Sequence, residues 1–420
     1  MMTTDEATRG RIFLELSDFI GTLNHFMGLA TRMDNETRNI SLISLFSNFF
    51  RLGLTAFGGP AMIPFVRKMA ITKMHWVDDA DFRIGLAICQ AIPGATVMQL
   101  AGYVGLRIRG VAGAIAAFCG FGLPAFLLIT ILSAVYFKYY NLPFVLSVFS
   151  GLKAIVLAIL FSASIDFVRK YIHSMLDKLI SLGAALAFLA DIHPVAVILV
   201  ATSLGIAFFK KDSGLFLQNG CQFSPRNRFK ATIIVTLLFP LALLGLWLFK
   251  TDLYSLATLM MGIDVLAFGG GFAALPIMLH EVVLRMGWLT QRVFMDGIAL
   301  GQITPGPIVI TSAFVGYSLA GLAGALTGAV AMFSPSFLIM IWSVPFCDKL
   351  LGSQYFRRGL RASLATLAGL MVAVTASFVL SITWTPRSVV LGAAAFVALR
   401  RQIDVFWVVV VGAAISLVLF

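Results

Sequence analysis

Charge is scarce in this sequence, and acid is scarcer than base. Of 420 residues 12% are charged, 19 acidic against 31 basic. A soluble domain of this length needs a polar shell, and a mean hydropathy of +0.96 leaves none. Histidine and cysteine are also few. The five histidines (25, 75, 173, 193, 280) are scattered without ligand spacing. Cys89, Cys119, Cys221 and Cys347 show neither pairing nor metal spacing and read as small apolar packing residues. No nucleophile with its base and no metal cluster is legible, so neither an enzyme nor a metal or cofactor is expected. No apolar–polar alternation runs through the apolar stretches, which excludes a closed β-barrel. The N-terminus opens with acids, and Glu15 and Asp18 interrupt its apolar stretch, so it is no cleavable signal. Residues 11–31 read as an amphipathic surface helix or a loose tail. The sequons at Asn35 and Asn39 read as chance.

What the chain does have is apolar runs of membrane length. They fall near 38–58, 82–106, 110–137, 143–168, 176–192 and 194–210, then, after a polar stretch, near 231–249, 252–270, 294–318, 321–345, 355–382, 386–400 and 404–420. The net charge of +12 sits mostly in the short loops between them, as orientation signals do, and implies no nucleic acid. The two halves match. Ala56-Phe57-Gly58-Gly59-Pro60 corresponds to Ala267-Phe268-Gly269-Gly270-Gly271 and Gly110–Ile115 to Gly321–Leu326 at an offset of 211, and Pro93-Gly94 to Pro305-Gly306 at 212. The expected fold is therefore an all-α polytopic membrane protein of about thirteen transmembrane segments, two homologous repeats joined by one linking helix. Six segments return the chain to its starting side and the linker crosses once, so the second repeat is inverted. The expected division is an N-terminal segment (1–37), a first transport repeat (38–210), a basic loop with the linking helix (211–250) and a second repeat (251–420).

With the N-terminus cytoplasmic and the C-terminus periplasmic or extracellular, one side collects Arg107/Arg109, Arg169/Lys170/Lys178, Lys210/Lys211, Arg226/Arg228/Lys230, Arg285/Arg292, Lys349/Arg357/Arg358/Arg361 and Arg400/Arg401. One loop disagrees. Residues 65–83 carry Arg67, Lys68, Lys73 and Arg83 yet fall on the other side, and segment 60–74 is a candidate re-entrant helix.

Four breaks interrupt these segments: Gly58-Gly59-Pro60, Pro93-Gly94, Gly269-Gly270-Gly271 and Pro305-Gly306. A helix restarting after a break presents free N–H groups and partial positive charge, which suits an anion. Four such starts converging would cage a small anion without a fixed charge. Ala95, Thr96 and Gln99 follow the first Pro-Gly, Pro307 the second. Gln90 and Gln302 each precede their Pro by three residues, where an amide can donate to an oxyanion. Ionisable residues within spans are functional candidates: Arg51, Lys153, Asp264 and Arg361. Lys153 and Arg361 attract the anion or snorkel. Asp264 carries a coupling proton, pairs with Arg51, Lys153 or Arg361, or caps a broken helix.

The motifs FGGP…W…GLAICQAIPGATVMQLAGYVGLRIRG and FGGG…GWLT…DGIALGQITPGPIVITSAFVGYSLAGLAG resemble the chromate transporter family in its long, two-domain form. The resemblance implies export of chromate across the cytoplasmic (inner) membrane and resistance to it. It places the family motifs on Phe57–Pro60 and Phe268–Gly271, on Gln90/Pro93/Gly94 and Gln302/Pro305/Gly306, and on Lys153 and Arg361. Ala95 replaces the Pro that often follows Pro-Gly, and Asp264 stands where Gly is usual. The partners expected are chromate or a sulfate-like anion, the bilayer and, in a homodimer, a second copy. A dianion leaving a negative interior gains roughly 4.6 kcal/mol per 100 mV, so efflux can run on membrane potential or proton motive force. The alternatives are a sulfate or other oxyanion transporter, or an anion channel.

Overall fold

The computed structural model describes residues 40–55, 62–209, 229–249, 251–382 and 384–420, and within them every regular element is helical. The first half holds α1 (Leu42–Thr55), α2 (Ile63–Arg67, continued as a π-helix by Lys68–Lys73), α3 (Asp79–Ala91), α4 (Thr96–Tyr139), α5 (Pro143–Tyr171), α6 (Met175–Leu189) and α7 (Pro194–Phe208). Helix α8 (Phe229–Phe249) leads to the second half. There follow α9 (Thr251–Leu266), α10 (Ala274–Leu279, entered by a 3-10 turn at Gly271–Ala273 and continued as a π-helix by His280–Arg285) and α11 (Gln291–Ile303). The last are α12 (Thr311–Ser343, entered by a 3-10 turn at Ile308–Ile310), α13 (Cys347–Gly352), α14 (Gln354–Ser381), α15 (Pro386–Arg400) and α16 (Val405–Leu419).

Local chemistry sets the boundaries. Prolines open α5, α7 and α15, where a missing N–H costs nothing. Ser174 and Thr385, 211 residues apart, each close a capping box at the start of α6 and α15. The π-helical turns of the two halves also correspond, Lys68 to His280 at an offset of 212.

Helix α4 is two helices. At Arg109 (φ −128°) and Gly110 (φ 66°) the chain reverses, and Gly105 lies against Gly113 across the turn. Helix α12 reverses likewise at Ala320 and Gly321, with Gly316 against Gly324. Small residues let the antiparallel backbones touch, which is how membrane helices gain packing without a hydrophobic drive.

The short limb of α4 (96–109) also packs antiparallel on α3. Arg107 pairs with Asp81, the Tyr103 hydroxyl donates to the Asp81 carbonyl at 3.3 Å, and Gly85 faces the Tyr103 ring. So α3, the Pro93-Gly94 break and 96–109 form a re-entrant hairpin whose ends share one face. In the second half Gly297 of α11 faces Phe314 of α12, giving the same hairpin. Helices α1 and α2 fold back in the same sense, with the Phe49 and Trp76 ring centroids 6.1 Å apart, and α9 with α10 repeat them. All thirteen apolar segments are present. Four are re-entrant pairs, and nine run from one face to the other: 110–139, α5, α6, α7, α8, 321–343, α14, α15 and α16, of which 110–139, α5, 321–343 and α14 belong to helices long and apolar enough to cross a membrane.

Contacts between crossing helices fix the faces. On the first face Asp166 meets Arg400 and Asp177 meets Arg361, both at 2.9 Å. On the second, His193 meets Arg285 at 3.3 Å and Arg387 donates to the Leu419 carbonyl at 2.6 Å. Four crossings per half, like six, are an even number. With α8 as the odd one, the halves are inverted.

This arrangement corrects two loop placements. Residues 65–83 lie on the first face beside Arg107 and Arg109, because the segment after them turns back instead of crossing. For the same reason Arg285 and Arg292 lie on the second face. The basic loop that disagreed with the sequence topology now agrees with it. A third correction concerns sulfur: Cys89 and Cys119 are free thiols, but Cys347 is disulfide-bonded.

Candidate functional site

The restarting helices after the breaks meet at one place. A cavity of about 50 Å³ is bordered by Ile63, the first residue of α2; Thr96 and Val97, the first of α4; Gly271 and Phe272, entering α10; and Ile308, entering α12. Its volume suits an ion of a few heavy atoms. The first N–H groups of α4 and of the turn that enters α12 have no acceptor within their own segments, and those helix dipoles end there. Gln90, Ala95, Gly269, Gly270 and Pro307 complete the wall with Lys170 and Tyr171.

Two glycines make this approach of backbones feasible. Gly270 has φ +106° and its α-carbon faces the Thr96 hydroxyl, with 3.8 Å from that oxygen to where a β-carbon would stand. Gly94 has φ +111°, donates its N–H to the Ala267 carbonyl at 3.0 Å, and would bring a β-carbon to 2.1 Å from Ser336 Cβ. The breaks of opposite halves are thus hydrogen-bonded to each other.

The other residues expected from the sequence divide. Gly58, Gly59 and Pro60 lie outside the described residues. Pro93, Gly94, Pro305 and Gly306 form the turns behind the cavity instead of its wall. Gln99 is buried and donates to the Pro93 carbonyl at 2.6 Å and to the Ser336 carbonyl at 3.3 Å, holding the first break in shape. Gln302 is buried with its Nε2 unpartnered, and is not in the wall. Arg51 is exposed on α1. Arg361 forms a two-pronged ion pair with buried Asp177 and lies 4.6 Å from the Phe209 ring centroid, so it ties α14 to α6 and α7, away from the cavity. Lys153 faces a different cavity on the second face. Asp264 pairs with none of Arg51, Lys153 or Arg361. It is fully buried, accepts the Ser336 N–H at 2.7 Å through Oδ2, and has no partner for Oδ1.

Lys170 and Tyr171 were not singled out by the sequence. They end α5 and belong both to the central cavity and to a wider one of about 440 Å³ that reaches Gln402 and Asp404 in the α15–α16 turn on the first face. Toward the second face α5 is buried throughout 154–158. Through Lys170, Tyr171, Gly269 and Phe272 the central cavity adjoins the wider one on the first face. No sequence signal marked Lys170, because a lysine ending a span reads as an orientation charge.

The scattered histidines also come together in part. Side-chain ligand atoms of His193, His280 and Glu281 lie within 4.8 Å of one another on the second face. The Nδ1 of His193 accepts the Val195 N–H, so its Nε2 carries the proton that Glu281 accepts at 2.8 Å. Arg285 adds a bond to Glu281 at 2.6 Å. A metal on Nε2 would require the other tautomer, with two N–H groups opposed at Val195. The cluster reads as a tie between the α6–α7 turn and the α10 hairpin.

Comparison with known proteins agrees with this organisation. Residues 43–206 and 254–417 each match the chromate transporter family. An uncharacterized transporter of Methanocaldococcus jannaschii is 38% identical over 92% of this chain and 96% of its own. The chromate transport protein of Cupriavidus metallidurans is 31% identical over 74% of this chain and 75% of its own, and a probable chromate transport protein of Synechococcus elongatus is 30% identical over 74% and 77%. No solved structure matches. Two copies of the family's unit, fused in opposite orientation in one multi-pass membrane chain, make this protein a member of the chromate transporter family.

Proposed function

We propose that this chain is a secondary transporter that exports chromate across the cytoplasmic membrane and so confers resistance to it. The observation that carries the reading is the small cavity where the segments that follow all four breaks converge, with Lys170 at its rim. Backbone dipoles and one mobile cation suit a tetrahedral dianion and offer a sugar or an amine nothing. We assign the first face to the cytoplasm, because Arg67, Lys68, Arg83, Arg107, Arg109, Arg169, Lys170, Arg400 and Arg401 gather there. The N-terminus is then cytoplasmic, the C-terminus outside, and the cavity faces the interior, as a loading exporter requires. The transport units are 38–210 and 251–420, joined by 211–250. Functional assembly as a homodimer is compatible with this design.

Membrane potential supplies the drive, roughly 4.6 kcal/mol per 100 mV for a dianion. A second reading, proton coupling, is favoured by one observation: Asp264 is buried, its Oδ2 accepts a backbone N–H, and its Oδ1 has no partner among the described residues, a costly arrangement for a fixed charge. Asp264 also replaces the glycine (Gly53) of the first half at an offset of 211, so only one repeat carries it.

Radiolabelled chromate and sulfate flux in everted vesicles tests these readings. Gln90→Ala, which removes a donor from the wall, raises the chromate KM by roughly tenfold. Gln302→Ala, behind the wall, changes it less than about threefold. Parent vesicles that accumulate neither anion under an imposed potential would refute the export reading. Flux that follows a pH gradient at zero potential, and loses that response in Asp264→Asn, identifies proton coupling.

A further inference from the structure

The second face holds a cavity of about 510 Å³, lined by Lys153 of α5, Arg292 of α11, and the hydroxyls of Ser150 and Thr290 among others. Both cations line the same cavity, and among the described residues neither makes an ion pair. The carboxylate within their field is Asp296, one turn beyond Arg292. Asp296 is 3% exposed; its Oδ2 accepts the Tyr136 hydroxyl of α4 at 2.8 Å, and its Oδ1 is buried without a partner. A buried carboxylate with half its acceptors idle is costly unless nearby positive charge compensates it. Lys153 from α5 and Arg292 from its own helix supply that charge, and Tyr136 from α4 supplies the one bond.

We infer that Lys153 and Arg292 form a second binding station for the transported oxydianion, on the exit side, and that Asp296 is the internal anion which competes with it. With the station empty, Asp296 balances the two cations. An oxydianion entering the cavity brings two charges to the same pair, and the Asp296 charge then opposes it. The station therefore binds weakly by construction, which suits release from an exporter. Among the described residues, the wall of the central cavity holds no acid that could compete in this way. The inference rests on the export reading for its direction only; anion binding at the station does not depend on it.

The test is equilibrium binding of radiolabelled chromate and sulfate to the full chain in lipid nanodiscs. It is made in a Lys170→Gln background, which weakens the central cavity. Asp296→Asn keeps the Tyr136 bond and the shape and removes the charge; it is expected to tighten the remaining anion binding by roughly tenfold. Arg292→Gln, at an exposed position, and Lys153→Met are expected to weaken it by a similar factor, with Lys153→Arg restoring it. Asp296→Asn without tightening, or Arg292→Gln without weakening, overturns the station. The two readings fail separately. Nanodisc binding that follows these charges while vesicles transport nothing leaves the station standing and removes the export reading.

Discussion

Replacing Gly94 with alanine abolishes chromate flux and lowers stability by about 2–5 kcal/mol. Two costs add. A residue at φ +111° is in the region that L side chains avoid, and the new methyl stands 2.1 Å from Ser336 Cβ. Ser336 cannot swing aside, since the contact is with its β-carbon, which moves only with α12. The displaced backbone also carries the Gly94 N–H away from the Ala267 carbonyl, the bond that joins the breaks of the two halves. Thermal unfolding of the detergent-solubilised chain reads the stability change, and vesicle flux per folded molecule reads the loss of function. Gly94→Ala combined with Ser336→Gly removes the clash but not the dihedral strain, and regains part of both. A single variant as stable and active as the parent would mean that the two breaks do not approach as described.

Lys170→Glu raises the chromate KM by roughly a hundredfold with folding unchanged. Inverting one charge about 6 Å from a dianion costs about 3 kcal/mol even at a water-like dielectric. Lys170→Gln loses about half of that free energy, roughly tenfold in KM, and Lys170→Arg stays near the parent. Lys170 is exposed and ends α5, so its replacement disturbs no core. The concentration dependence of uptake into everted vesicles decides the matter. An unchanged KM in Lys170→Glu would put the first-face vestibule off the transport route. Arg361 offers the contrast. It lies beside buried Asp177, and its loss is felt as instability, not as weaker substrate binding.

Much of the architecture was legible because it rests on local chemistry. Apolar runs of membrane length identify the thirteen segments, Pro-Gly and Gly-Gly identify the breaks, and the repeated spacing of both reveals the duplication. The parity argument for inversion held because four re-entrant segments change the number of crossings by an even number per half. For the cage the sequence supplied an expectation that helix starts converge, and the cavity has residues that follow each of the four breaks in its wall. The symmetric pairing of Gln90 with Gln302 was less informative. One amide reaches the cavity and the other is buried behind it, so equal sequence positions do not occupy equal environments.

Other residues gave no signal of their role. Asp296 reads in sequence as one more acid near a span end, and Lys170 as one more orientation charge. His193 and His280 stand 87 positions apart, with ring centroids at 5.0 Å. Each owes its place to a helix contributed by a distant segment.

By itself the sequence determined where the chain is apolar, where its helices must stop, and that the unit occurs twice, because length, hydropathy and the missing N–H of proline act within a few residues. Only the tertiary structure decided which segments cross and which turn back. A crossing segment and a re-entrant pair bury the same apolar surface and break at the same Pro-Gly, and the contacts between their arms, Arg107 with Asp81 and Gly297 with Phe314, distinguish them. It also decided which charges face a cavity, since that depends on the helix packed opposite.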